Sequence, residues 1–421
     1  MQEQIIHKFI AHRIHTGAKL LLGLSGGPDS MALLYFLIAC QKKLNFFLHL
    51  AHVNHGWRKE SDKEAQILKD LAAQLQLPFH LHKIKEKMGS DLENKCRKER
   101  LAFFETLHNQ HHFQALLLAH HLDDQAETVL KRVFEGAGLQ ALGGLHIEKN
   151  FKNLSIWRPL LFFKKSELRS YLDKKRITYF EDPTNYNPLY LRSRMRKNIF
   201  PEIERKFGKN IQKNCIRLGY LCQELAEYFE EKCQDIENKM LKSSFGDALP
   251  LIFPLIELRY FLKRYDKNAH LSSDALQCLL ELIQHKKNNC QIQAPPLTFY
   301  ISGNYLFILK QSFPDFFKEK QRWKVVTYGT WVNFWYGEIA MPKTEVQLES
   351  FANLAPPLKR RVKKWYISRC VPSFFHERAP LFMQKKQIVG ECLTGDCIKT
   401  YLKRSNRSNP SNEKIRRVTC N

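Results

Sequence analysis

The segment Ser25-Gly26-Gly27-Pro28-Asp29-Ser30 combines residue types that can hold a polyphosphate. Two glycines let the backbone approach an anion closely and turn its amides inward. Ser25 and Ser30 carry hydroxyls that can donate to phosphate oxygens. A helix starting at Pro28 adds the partial positive charge of its N-terminus. Asp29 is the discordant residue, because a carboxylate repels a phosphate unless a cation bridges them. A Mg²⁺ ion shared by Asp29 and phosphate oxygens resolves the conflict. No Gly-Lys-Ser/Thr follows, so the loop is not of the Walker type.

A second cluster is Ala119-His120-His121-Leu122-Asp123-Asp124-Gln125-Ala126-Glu127-Thr128. On a helix, Glu127 shares a face with Asp123 and Asp124. Such carboxylates can hold Mg²⁺ or bind a substrate ammonium. Glu93, Arg97 and Arg100 also fall on one helical face. His52-Val53-Asn54-His55-Gly56 closes an apolar run, and Asn54 has no carboxyl group with which to do acid–base work. Arg192, Arg194 and Arg196 alternate, and Leu358-Lys359-Arg360-Arg361-Val362-Lys363-Lys364-Trp365 reads as a basic helix before Arg378-Ala379-Pro380-Leu381. In a chain of net charge +25 these basic groups point to phosphate contacts.

The elements that must position these residues alternate. Strands are expected at Leu20–Leu24, Phe46–Val53, Phe79–Ile84 and Gln114–Ala119. Helices are expected to open near Pro28, at the capping boxes Ser61–Glu64 and Ser90–Glu93, and near Asp123. Strand–helix alternation predicts an α/β fold with a doubly wound parallel sheet, Rossmann-like, whose ligands sit at the carboxyl ends of the strands. The chemical clusters fall at such ends or on the helix just after. The expected domains are a catalytic one over 1–210, a mainly helical one over 211–340 and a small α+β one over 341–400. A basic tail over 401–421, expected to be disordered, completes the chain. A hairpin turning at Ser302-Gly303-Asn304 is expected within Leu297–Leu309.

The 421 residues predict two or three domains, at roughly 100–200 residues each. Eleven cysteines are scattered, with no Cys-x-x-Cys pair, which fits a reduced cytoplasmic protein better than a disulfide framework or a zinc site. The polar N-terminus lacks a signal-peptide layout. The longest apolar run, Met31–Cys40, is far below the roughly 20 residues of a membrane span, so no membrane partner is expected.

The Ser25–Ser30 loop resembles the pyrophosphate loop of the N-type ATP pyrophosphatases, the PP-loop enzymes. Four further segments resemble one family among them, the tRNA(Ile)-lysidine synthetases. They are His52–Gly56, the Glu93–Arg100 helix, Ala119–Thr128, and the glycine-rich run Gly136–Leu145. Arg158-Pro159-Leu160-Leu161, Glu181–Asn185 and Arg192–Pro201 continue the likeness, and Val371–Leu381 resembles that family's C-terminal domain. Many members carry Asp where this chain has Asn54, and Ala where it has Cys96. The resemblance implies ATP as cosubstrate with Mg²⁺. The RNA substrate would be the CAU-anticodon isoleucine tRNA, whose wobble cytidine is adenylated at O2 and then attacked at C2 by free lysine. Pairing would shift from the Met codon AUG to the Ile codon AUA.

The resemblance further places ATP on Ser25, Gly26, Gly27, Pro28, Asp29, Ser30, His52 and Asn54, and Mg²⁺ on Asp29. Lysine would meet Asp123, Glu127 and Arg97, with Asp124 also catalytic. The tRNA would meet Arg192, Arg194, Arg196, Lys359, Arg360, Lys363 and Arg378. The sequence sets no oligomeric state and admits a homodimer. A PP-loop thiolase is the nearest rival, but it would need reactive or cluster-binding cysteines. A non-catalytic RNA-binding protein on the same fold predicts loss of the acidic set, which is intact.

Overall fold

The computed structural model describes residues 1–56, 60–84, 92–181, 191–244, 246–265, 271–310, 323–327, 329–342 and 345–393, with backbone alone for 92–94. The capping segment Ser90–Glu93, residues 182–185 of the Glu181–Asn185 motif and the basic tail lie outside the residues or side chains described. Two compact units divide at Glu227 and Tyr228.

The first unit alternates as expected. Its elements begin α1 (Gln2–Ala11), β1 (Ala18–Gly23), α2 (Pro28–Gln41), β2 (Phe46–Asn54), α3 (Ser61–Gln74) and β3 (Phe79–Lys83). They continue α4 (Leu92–His111), β4 (Ala115–Leu117), α5 (Leu122–Phe134), α6 (Leu139–Leu142), β5 (Glu148–Phe151) and β6 (Leu154–Trp157). The sheet order is β3-β2-β1-β4-β6-β5, with β5 alone antiparallel to its neighbour. Strand residues alternate between two cores. Leu20 and Leu22 face a cluster with Leu33, Leu37 and Leu168, while Leu21 and Leu116 face Phe104 and Leu107 of α4. Helices therefore cover both faces, as a doubly wound sheet requires.

The register aligns the carboxyl ends. Gly23 pairs with Ala51, Leu22 with Leu117, and Leu117 with Trp157. The chain leaves the sheet at one edge after each of these strands, so the Ser25 loop, His55, His120 and Arg158 all follow that edge. The strand order reverses between β1 and β4, which remain parallel, and this is the position where such sheets form a crevice. α7 (Lys165–Lys175), α8 (Leu191–Arg194), a π-helical turn (Met195–Ile199) and α9 (Phe200–Phe207) follow. α10 (Ile211–Lys239) carries the boundary between the units.

One local expectation differs. Ser61 is the first helical residue of α3, not its cap: Glu60 takes the cap position and no side chain caps the helix. The helix starts one residue earlier than the Ser-x-x-Glu pattern implies.

In the second unit, helices Leu255–Tyr265 and Ser273–Gln284 pack on a five-stranded antiparallel sheet of order β7-β8-β11-β10-β9. Its strands are β7 (Leu241–Ser243), β8 (Gly246–Pro250), β9 (Cys290–Ala294), β10 (Leu297–Ser302) and β11 (Tyr305–Lys310). The β10–β11 hairpin closes through Gly303 at φ +58°, where the predicted turn lies. A second core of the same unit gathers Trp335, Val362, Tyr366, Phe375 and Phe382 beneath the helix Pro356–Ser368. Among the described residues no helix is long and apolar enough to cross a membrane.

Candidate active site at the carboxyl edge of the parallel sheet

The glycine loop is held by its own hydrogen bonds. Ser30, only 3% exposed, donates its hydroxyl to Gly27 O at 3.0 Å. Its Oγ accepts from the Ser25 backbone N–H at 3.2 Å and lies 3.1 Å from Ser25 Oγ. Gly26 sits at φ +81°, and a Cβ there would lie 2.4 Å from Phe180 Cδ2. Phe180 N–H also donates to Gly26 O at 2.9 Å. Position 26 thus demands glycine for both conformation and space. Pro28 opens α2, so the loop ends at a helix N-terminus.

Asp29, in the first turn of α2, meets the second cluster through His121. His121 is 1% exposed, and its backbone N–H donates to Asp124 Oδ2 at 3.0 Å. Its Nε2 lies 3.6 Å from Asp29 Oδ2 and 3.5 Å from Asp124 Oδ2, while Nδ1 lies 3.4 Å from Asp123 Oδ2. Lys165 adds a second link: Nζ is 3.9 Å from Asp29 Oδ2, and its N–H donates to Asp123 Oδ2 at 2.8 Å. Burial raises the Asp29 pKa above the usual range, against the pull of His121 and Lys165. Burial also opposes ionisation of Asp124, but His121, His120 and the His121 amide overcome it and hold its pKa low.

Arg196, expected at an RNA phosphate, is taken up inside this site. Its Nε donates to Glu127 Oε1, and its Nη2 to Glu127 Oε2 at 3.1 Å and to Asp124 Oδ1 at 3.2 Å. The physical reason is charge balance: Glu127 is 2% and Asp124 7% exposed, and buried carboxylates need a cation. Arg196 sits in the π-helical turn, a rare geometry that often marks functional sites. Burial raises the Glu127 pKa despite Arg196, and contact with Glu127 outweighs burial to raise that of Arg196.

The donors fit Mg²⁺ in one respect. Asp29 Oδ1 is buried without a hydrogen-bond partner, a hard anionic oxygen suited to one position of an octahedral shell. Among the described residues no group of three or more side chains forms a complete metal cage. Such an ion would therefore be completed by phosphate and water.

The remaining expected residues separate. His52 donates Nδ1–H to Leu24 O at 2.8 Å, and burial lowers its pKa, so the ring stands neutral behind the loop. Asn54 donates to Asp62 Oδ1 at 2.7 Å and accepts from Gly56 N–H at 2.8 Å, so its amide shapes the turn after β2. Gln125 clasps the glycine-rich segment, donating to Gly143 O at 2.8 Å and accepting from Leu145 N–H at 2.6 Å. Arg97, Arg192 and Arg194 are exposed. In the second unit, the helix Pro356–Ser368 buries Val362 and Trp365 and exposes Arg360 and Lys363. Lys359 lies 5.1 Å from the Phe351 ring, and Arg378 donates to Phe374 O at 2.7 Å. His121, Lys165 and Phe180 join the site without a role expected from sequence. His121 lay inside a quoted motif; Lys165 and Phe180 carried no local signal.

Loop, sheet and carboxylates define an ATP-binding PP-loop protein, and the PP-loop domain family matches residues 1–203. A tRNA(Ile)-lysidine synthase of Protochlamydia amoebophila is 32% identical, covering 93% of this chain and 92% of its own. A tRNA(Ile)-lysidine synthase of Chlamydia pneumoniae is 38% identical over 60% of this chain and 80% of its own. Among solved structures, the U34-tRNA thiolase NcsA from Methanococcus maripaludis with its [4Fe-4S] cluster overlays 53% of this chain and 78% of its own, at TM-score 0.45 and 20% identity. The chain belongs to the tRNA(Ile)-lysidine synthase family.

Proposed function

We propose that the protein is an ATP-dependent ligase that joins free L-lysine to C2 of the wobble cytidine of a CAU-anticodon isoleucine tRNA. In this reading the cytidine O2 attacks the α-phosphate of ATP, forming the O2–P bond as pyrophosphate leaves. The ε-amine of lysine then attacks C2, and AMP leaves with the O2 oxygen. The lysidine product pairs with A, so the tRNA moves from the Met codon AUG to the Ile codon AUA.

The observation that carries the reading is the convergence of Asp29, on the anion loop, with Asp123 and Asp124 around His121. One site thereby offers an anion cradle beside an acidic patch. Ser25, Ser30 and the loop amides would orient the polyphosphate, and the α2 N-terminus would favour the leaving pyrophosphate. Asp29 would hold Mg²⁺, which when bound supplies charge neutralisation at the phosphates. Lys165, 3.9 Å from Asp29, adds a fixed positive charge at the same place. Asp123 is the most exposed carboxylate of its trio, at 27% of its side chain against 10% for Asp124 and 3% for Glu127. It is the one open to a lysine ammonium, while Asp124 and Glu127 hold Arg196. The exposed Arg192, Arg194, Arg360 and Lys363 would meet tRNA phosphates. The cytoplasm is the compartment in which such a tRNA would be met.

Asp29→Ala tests this. Pyrophosphate release with the isoleucine tRNA should fall by at least about 100-fold, while tRNA binding stays within about twofold. Normal pyrophosphate release by the variant would remove Asp29 from the phosphate site.

A further inference from the structure

One buried cation has no part in the proposed chemistry. Arg158 follows the carboxyl end of β6 and is only 7% exposed. Its Nη1 donates to His146 O at 2.8 Å, and its backbone N–H donates to Ile147 O at 2.8 Å. Its Nε is buried with no hydrogen-bond partner, and among the described residues no carboxylate pairs with it. Burial and the nearby Arg97 push its pKa down to about 10, which still leaves it charged at neutral pH.

His120 lies beside it with the same deficit. Its Nδ1 is buried and unpartnered. Burial, with Arg158, Arg192 and Arg100 adding to it against Asp124, lowers its pKa to about 3. The ring is therefore neutral and can donate a hydrogen bond. Asp124 and Arg158 both lie within electrostatic reach of His120, which therefore joins an acidic half of the site to a basic half. A buried guanidinium without a counter-charge costs free energy, and such groups concentrate where a ligand supplies the missing charge.

The geometry points to Arg158, assisted by His120, as the binding group for the carboxylate of the free amino-acid substrate. The proposal rests on lysine being that substrate. The polyphosphate has its own cradle at the Ser25 loop. An RNA phosphodiester is a bulky backbone group suited to the exposed Arg192 and Arg194. A cation 7% exposed admits a small terminal anion. Lysine carries one, with an ammonium that can face Asp123 at the acidic half. Arg97, exposed on α4 and near enough to perturb Arg158, would then flank the pocket rather than form its floor.

The test compares two amines on the full chain: L-lysine and 1,5-diaminopentane, which keeps the attacking amine and lacks the carboxylate. Arg158→Lys retains the charge and loses the planar fork. It should lower kcat/KM for lysine roughly 100-fold, chiefly through KM, and leave kcat/KM for the diamine unchanged. Pyrophosphate release in the absence of any amine should match the parent chain. A parallel fall for both amines, lost pyrophosphate release, or unchanged lysine kinetics would overturn the assignment. Lost pyrophosphate release in particular would place a phosphate at Arg158. The unaltered chain gives a second readout that needs no variant. L-lysine should raise its Tm and lysinamide should not, and equal shifts would overturn the carboxylate site. A parent chain that adenylates the tRNA yet joins no lysine to it would instead overturn the proposed function itself.

Discussion

Replacing Arg196 with Met removes the cation between two buried carboxylates. Glu127 then loses both of its hydrogen bonds from Arg196, and Asp124 loses one of its own. Breaking a buried ion pair from one side costs about 3–5 kcal/mol. Arg196 is 30% exposed at its side chain, so water screens part of this and about 3 kcal/mol is expected at pH 7. For a unit of 227 residues that is a fall in Tm of roughly 6–12 °C. The loss should depend on pH. Burial already raises the Glu127 pKa, and without Arg196 it rises further. The folded variant then binds a proton that the unfolded chain gives up, so its stability falls as pH rises through that pKa. The deficit should be smallest in the ordinary carboxylate range and grow as pH rises above it, by at most about 1.4 kcal/mol per unit while the group titrates. Thermal unfolding by circular dichroism at three pH values measures it, and tRNA affinity across a salt series runs beside it. The salt slope should not change, whereas a lost phosphate contact would lower it by about 1. An unchanged Tm with a shallower slope would refute the internal role and return Arg196 to the RNA.

Gly26→Ala should lower pyrophosphate release by about 100-fold, since the loop must move off Phe180 and out of its φ of +81°. Adding Phe180→Ala should recover only part of it, because the backbone strain remains; full recovery would show that crowding alone matters. Acid should weaken the first unit through the stacked pair His49 and His80, whose rings lie 5.3 Å apart near His111. Burial, then His80 and His111, lowers the His49 pKa to about 4. The unfolded chain takes the proton first, near pH 6.5, so this stability is complete above that and lost as pH falls toward 4. Partial exposure reduces it to about 2 kcal/mol, and a flatter pH–stability curve in His49→Phe is the check.

The alternation of β1 to β4 with their helices was legible because fully buried strands such as Leu20–Leu22 read as short apolar runs ended by glycine or polar residues. The acidic set was legible for a local reason, since Asp123, Asp124 and Glu127 share one helix. Their counter-ion was not. Arg196 lies far along the chain and looked like one of three surface arginines, and only the fold turns it inward. Lys165 and Phe180 reach the loop by the same long-range route. Asn54 illustrates a subtler limit, because its motif position suggested the nucleotide while Asp62, on α3, engages its amide. In the second unit the helical periodicity of Ser273–Gln284 was plain, but β7, β8 and β9 are only three to five residues long, too short for even the alternation of Cys290–Ala294 to stand out.

Incorporation of radiolabelled lysine into a CAU-anticodon isoleucine tRNA transcript, with and without ATP, tests the central claim most directly. The control is an elongator methionine tRNA with the same anticodon. ATP-dependent labelling of the isoleucine tRNA alone is the predicted result. AMP and pyrophosphate formed without labelling, or equal labelling of both tRNAs, would contradict it.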